Sequence, residues 1–153
     1  TIHAGVEALV GASFALGNDG QRIEPLLSMT YNDFTFDNDP KYGDNKLPVA
    51  PTFFINGDVM DRHGNGFFAV PPFDIADDRY GDFASTTDVD GYELLGLRTG
   101  VTRDSWEVYL EGRNLTDEVY VTNVSVSNDE TINPVGIQAG EPRSVYAGVR
   151  FDF

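Results

Sequence analysis

The chain contains no cysteine in its 153 residues, so neither a disulfide nor a thiolate metal site can be part of it. No apolar run approaches the roughly 18 residues of a membrane-crossing helix, which excludes a helical membrane protein and leaves strands open. Basic residues are scarce. Ten Lys and Arg against 25 Asp and Glu give a formal charge of −15, and so acidic a chain cannot gather the cations that neutralise nucleic-acid phosphates. Histidine is limited to His3 and His63, too few for a transition-metal cluster. No Gly-x-Ser-x-Gly elbow, phosphate-cradling loop or His-Glu-x-x-His helix is present. Ser105 beside Asp104 reads as a turn pair, and pairs such as Asp77-Asp78 or Glu107 with Glu111 read as products of an acid-rich composition rather than glycosidase carboxylates. Neither catalysis nor a cofactor is expected. The opening Thr-Ile-His has neither an initiator methionine nor a signal peptide, which points to a processed or excised piece.

What is present is alternation. In residues 144–153, Val145, Ala147, Val149, Phe151 and Phe153 fall at every second position, with Tyr146, Gly148, Arg150 and Asp152 between them. Successive strand side chains point to opposite faces, so this is a strand with one apolar and one polar face. Further strands are expected over 4–14, 23–36, 52–61, 67–75, 92–102 and 106–114, making about seven. In the second, Leu27, Met29 and Tyr31 oppose Ser28, Thr30 and Asn32; in the sixth, Trp106, Val108 and Leu110 oppose Glu107, Tyr109 and Glu111. Pro71 and Pro72 cannot donate ladder hydrogen bonds and suggest an edge, a bulge or an early end for the fourth strand. Residues 119–126 could form another short strand, an eighth that would allow antiparallel closure of a small barrel.

The links between strands alternate as well. Short turns follow the first, third and fifth strands, and long loops follow the second (37–51), fourth (76–90) and sixth (116–143). A soluble meander does not require that order, whereas an up-and-down outer-membrane barrel has short turns on one side and long loops on the other. The expected fold is therefore all-β, with antiparallel up-and-down strands forming part of a transmembrane β-barrel. Acid is concentrated in the long loops. Asp37, Asp39 and Asp44, with Asn32, Asp33 and Asn38 nearby, have the oxygen-rich look of a calcium site but not the EF-hand spacing, and a solvated acidic loop is the competing reading.

The segment 106–117, ending Gly-Arg-Asn-Leu-Thr-Asp, followed by Tyr120 and by Gly140-Glu141-Pro142-Arg143 leading into the final strand, closely resembles the C-terminal end of TonB-dependent outer-membrane receptors. In those proteins Asn-Leu, a following Tyr and a Gly-x-Pro-Arg lead-in precede a strand ending on Phe; Asn114, Leu115, Tyr120, Gly140, Pro142 and Arg143 match that pattern. The resemblance implies a plugged barrel of about 22 strands that captures a scarce nutrient, most often a ferric siderophore, and passes it inward with energy relayed by TonB. It implies as partners the remainder of the receptor with its plug, the TonB complex through an N-terminal part not represented in this sequence, lipid or detergent, and a barrel-assembly machinery that reads the terminal strand through Phe151 and Phe153. The implied location is the bacterial outer membrane. A stand-alone soluble acidic β module that turns the same apolar face into a core, and a fragment with incidental hydrolase activity, are the alternatives.

Overall fold

The computed structural model describes residues 1–126 and 136–152, and it is all-β. Strand β1 (Ile2–Gly11) and its continuation β2 (Phe14–Leu16) pair with β3 (Gln21–Thr35) in one unbroken register, from Ile2 opposite Thr35 to Leu16 opposite Gln21. β3 pairs with β4 (Phe53–Arg62), which pairs with β5 (Phe67–Val70) and β6 (Phe73–Ala76). β6 continues to β9 (Tyr92–Leu95), β5 to β10 (Leu97–Arg103), and β10 through β11 (Trp106–Arg113) to β14 (Ser144–Phe151). Every pairing is antiparallel. With β5–β6 and β9–β10 counted as single interrupted strands, the sheet is the expected seven-stranded meander, and β1 and β14 are its edges.

Two expectations need correction. β5 ends at Val70, immediately before Pro71, as an early end predicts, but the break is local: β5 and β6 share one register against β4 (Asp61 opposite Ala69, Gly57 opposite Phe73), so the prolines sit in mid-sheet and at neither an edge nor a bulge. The ladder continues past them on the acceptor side, where the Gly96 N–H of the neighbouring strand reaches the Pro72 carbonyl at 2.8 Å, and the absence of a Gly96 side chain leaves room for the Pro72 ring. The 119–126 segment does form a strand, β12 (Val121–Ser125), but it pairs with β13 (Gly136–Ala139) in a hairpin of its own and adds no eighth strand to the main sheet. A smaller hairpin, β7 (Arg79–Tyr80) with β8 (Asp88–Val89), stands in the second long loop.

Register sorts the side chains into two faces, because directly opposed residues share a side of the sheet. One row runs Phe67, Val101, Val108, Val149; another runs Asp61, Ala69, Thr99, Leu110, Ala147; a third joins Val6, Tyr31 and Phe53. These rows make a broad, mostly apolar face, and it is exposed: Val6 is 65%, Leu110 56%, Val149 58% and Phe151 62% accessible. No large side chain among the described residues is fully buried. The few buried apolar residues are Phe68, Val70 and Ala76, whose register puts them on the opposite face, and Val89 and Val124 in the loop hairpins.

The opposite face is polar and internally paired. Arg98 donates to Glu107 at 2.7 Å, Thr102 donates to the other oxygen of Glu107 at 3.0 Å, and the Arg98 guanidinium lies 4.1 Å from the centre of the Tyr109 ring. Tyr109 stands opposite Gly100 on one side and Gly148 on the other. A Cβ at Gly148 would come within 2.3 Å of the Tyr109 ring, so the aromatic covers the space that glycine leaves. Gly148→Val is accordingly expected to evict the ring from beneath Arg98 and to cost about 1–3 kcal/mol of overpacking, read as a lower urea midpoint of the detergent-folded chain, while Ala147→Val on the apolar face leaves that midpoint within error.

Candidate functional site

The three long loops gather at one end of the sheet and form its most elaborate surface. The first, between β3 and β4, is closed on itself by side-chain acceptors. Asp39 Oδ1 accepts the backbone N–H groups of Lys41 and Tyr42, each at 2.9 Å; Asp44 accepts that of Asn38 at 2.8 Å; Asp37 accepts the Asn38 amide at 3.1 Å. The three calcium candidates therefore act as turn acceptors within one loop, and among the described residues no group of three or more metal-ligating side chains converges. The bonds from Tyr42 and Lys41 hold the Asp39 carboxyl below its ordinary pKa. The loop also carries an aromatic contact that the sequence did not announce: Phe36, Tyr42 and Phe83 approach one another with ring centres 5.0–6.0 Å apart, joining the first long loop to the second. Val49 holds a left-handed backbone (φ 77°) while its N–H reaches the Tyr80 carbonyl at 2.8 Å.

A cleft of about 610 Å³ opens where the second and third loops leave the sheet, lined by Asp77, Asp78, Asp90, Glu93 and Glu118 over Phe53, Ile75 and Tyr92. Asp78 accepts the Gly91 N–H at 2.7 Å, which closes the base of the second loop. Farther out, partial burial would raise the Asp82 carboxyl, but hydrogen bonds from Thr87 and Thr86 outweigh it and bring its pKa down to about 2. Arg79, only 7% exposed, donates to the Val121 carbonyl at 2.6 Å and binds the β7–β8 hairpin to the β12–β13 hairpin. Within the cleft, acceptors are abundant. Its field favours cationic groups.

The motif residues converge on a second feature, a clamp where β11 ends and β14 begins. Asn114 is 5% exposed with φ 47°; its amide donates to the carbonyls of Glu118 at 2.8 Å and Glu141 at 2.9 Å, and its oxygen accepts the Glu118 N–H at 2.8 Å. One side chain thus ties the exit of β11 to the approach to β14. Leu115 N–H reaches the Leu95 carbonyl and its side chain lies against Gly112. The Gly140 N–H bonds the Tyr120 carbonyl at 2.7 Å, and any Cβ there would collide with the Tyr120 ring, which packs 4.7 Å from Tyr92. Arg143 pairs with Asp117 at 2.6 Å, and Pro142 is exposed. Glu141, which sequence reasoning passed over, accepts from Ser144 at 2.5 Å and from Tyr146 at 2.6 Å and lies 3.5 Å from Arg113; the first two bonds lower its pKa most. Phe151, opposite Trp106, points out from the apolar face; Phe153 lies outside the described residues.

Two outcomes follow from this geometry. Asn114→Ala removes three buried hydrogen bonds and should destabilise by about 2–4 kcal/mol, at roughly 1 kcal/mol per bond, with Asn114→Gly losing less because glycine accepts the positive φ; denaturant titration of both variants measures it. The folded pKa of Asp82 lies below its unfolded value, so its contribution is intact above about pH 4 and is lost as the pH falls through about 2. Amide exchange at Thr86 should accelerate across that window, and in Asp82→Asn the exchange should already be fast at neutral pH and lack this acid step.

No family model matches the chain. Among solved structures it is similar to BauA, the ferric preacinetobactin receptor of Acinetobacter baumannii, with a TM-score of 0.61 at 14% sequence identity. The match takes in 97% of this chain and 26% of the receptor, so the chain spans about a quarter of the protein it resembles, and at that identity the likeness shows a shared fold.

Proposed function

We propose that the chain is the C-terminal part of the β-barrel of a TonB-dependent outer-membrane receptor that takes up a ferric siderophore, and that it performs no chemistry of its own. The observation that carries this reading is the exposed apolar face: a single-layer meander that leaves Leu95, Leu97, Val108, Leu110, Val149 and Phe151 in the open and draws none of its buried apolar residues from that face. In water such a surface is a liability, whereas against hydrocarbon each large apolar side chain contributes about 1.5–3 kcal/mol. The strict alternation of short turns and long loops supports the same orientation, with turns toward the periplasm and loops outside. The likeness to a receptor for ferric preacinetobactin supports a ferric chelate as the ligand class. On this reading the remaining strands, the plug and the segment that meets TonB belong to the rest of the receptor, and the clamp around Asn114 fixes the last strand for closure. A soluble module of the same sequence would need a second layer over the apolar face, and the described residues provide none.

Trp106 gives a direct test, because it is the one tryptophan and stands on the apolar face opposite Phe151. In vesicles containing lipids brominated along the acyl chain its fluorescence should be quenched, and Leu110→Arg, in the same face, should destabilise the inserted chain by about 2–4 kcal/mol if it sits near mid-membrane. A chain that stays monomeric without amphiphile, shows no quenching and tolerates Leu110→Arg refutes the proposal. Sequencing the gene upstream of Thr1 is the complementary check, since a plug-encoding stretch is expected there.

A further inference from the structure

In the first long loop the segment 47–51 reads Leu-Pro-Val-Ala-Pro. Leu47 and Ala50 each precede a proline, which holds them extended, and the Pro48 ring fixes its own φ, so a reversal of the chain within the segment falls on Val49. Val49 takes φ 77°. The other described non-glycine residues with positive φ are Asn38, Ser85, Asn114 and Asp117, all with short polar side chains, whereas a β-branched residue in that region is a steric outlier. Burial does not compensate, because Val49 is 36% exposed.

Both ends of the segment are anchored to β3. The Leu47 N–H reaches the Phe34 carbonyl at 2.8 Å, and Asn32 holds the other end, its N–H donating to the Thr52 carbonyl at 2.8 Å and its side-chain amide to the Pro51 carbonyl at 3.0 Å. Between these anchors the one hydrogen bond among the described residues runs from the Val49 N–H to the Tyr80 carbonyl, at 2.8 Å. The accepting side is braced: Tyr80 lies in β7, paired with β8, and Arg79 beside it donates to the Val121 carbonyl at 2.6 Å. A cavity of about 260 Å³ lies between the two loops, walled by Leu47, Ala50 and Thr52 on one side and by Asp78, Tyr80 and Asp88 on the other. One backbone hydrogen bond contributes about as much as a left-handed L-residue costs, so bond and strain at Val49 are closely matched.

We propose that residues 47–51 form a strap with two positions, which opens and closes the cavity between the first and second long loops. In the fastened position Tyr80 holds the Val49 N–H and the strap forms one wall of the cavity. In the released position Val49 returns to negative φ, its N–H passes to water, and the strap swings out between its anchors at Leu47 and Thr52 while Arg79 keeps the second loop in place. Strain at Val49 is what brings the two positions close in free energy; a residue that accepts positive φ would hold the strap fastened. The inference rests on backbone geometry and holds whether or not the sheet belongs to a siderophore receptor.

The absence of cysteine allows a single thiol to report on the strap. In the full 153-residue chain folded in zwitterionic detergent, Leu47→Cys places that thiol on the cavity wall, and its alkylation by iodoacetamide follows release. Adding Val49→Gly or Val49→Asn should slow alkylation by at least about threefold, whereas Val49→Ala, which keeps the penalty of positive φ, should leave it within about twofold. A thiol introduced instead by Ala84→Cys, at an exposed position of the second loop, should react at one rate in every background. Amide exchange in the unmutated chain is a readout independent of how the variants fold: protection at Val49 should be at least about tenfold lower than at Leu47, although both N–H groups make bonds of 2.8 Å. Equal protection of the two amides, unslowed alkylation in the glycine and asparagine variants, or equal slowing by Val49→Ala would overturn the proposal. Slowing of the Ala84→Cys thiol by the same factor would show that the effect is not local to the strap and overturn it too.

Discussion

Everything in this structure depends on the register of one antiparallel ladder. The sums of paired residue numbers do not drift along the sheet: β1 and β2 hold one register against β3, and β5 and β6 hold one against β4 across two prolines. A slip of one residue anywhere would exchange the faces of that strand and place Glu107 or Arg98 among the leucines. Conservation of register is what turns a chain with 41% hydrophobic residues, only five of them buried among the described residues, into a two-faced wall.

Its stability is of a different kind from that of a soluble domain. Among the described residues there is no large dry interior to gain from, and the polar face supplies paired groups, Arg98 with Glu107 and Tyr109, Arg113 with Glu111, where a globular protein would have packed apolar side chains. Half-exposed ion pairs of this sort contribute little each. The main hydrophobic term has to come from whatever meets the apolar face, and the backbone groups along the outer edges of β1 and β14 still need donors and acceptors. The long loops are stabilised separately, by local acceptors such as Asp39 and Asp82 and by the Arg79 bond between hairpins.

Much of the wall was legible in the sequence because period-two alternation is a local signal: the seven strands, their two faces and the order of short and long links could be read from residues such as Trp106, Val108 and Leu110 alone. That the strand resumes in the same register after Pro71 and Pro72 was not legible, because Gly96, which makes room for the Pro72 ring, is distant in sequence and adjacent only once the register is known. The β12 strand was legible, but its partner was not, since pairing within a hairpin or across a sheet leaves no mark on composition. The same limit applies to the site. Asn114, Tyr120 and Gly140 announced themselves as a motif, whereas the clamp they build, with Glu141 at its hub and Tyr92 stacked on Tyr120, is a tertiary contact.

Because seven strands alternate in direction, β1 and β14 run the same way. Any ring that joins them by antiparallel neighbours must therefore insert an odd number of further strands. A second copy of this chain brings an odd number but, standing the same way up, would offer each edge a strand of the wrong polarity; only an inverted copy would fit.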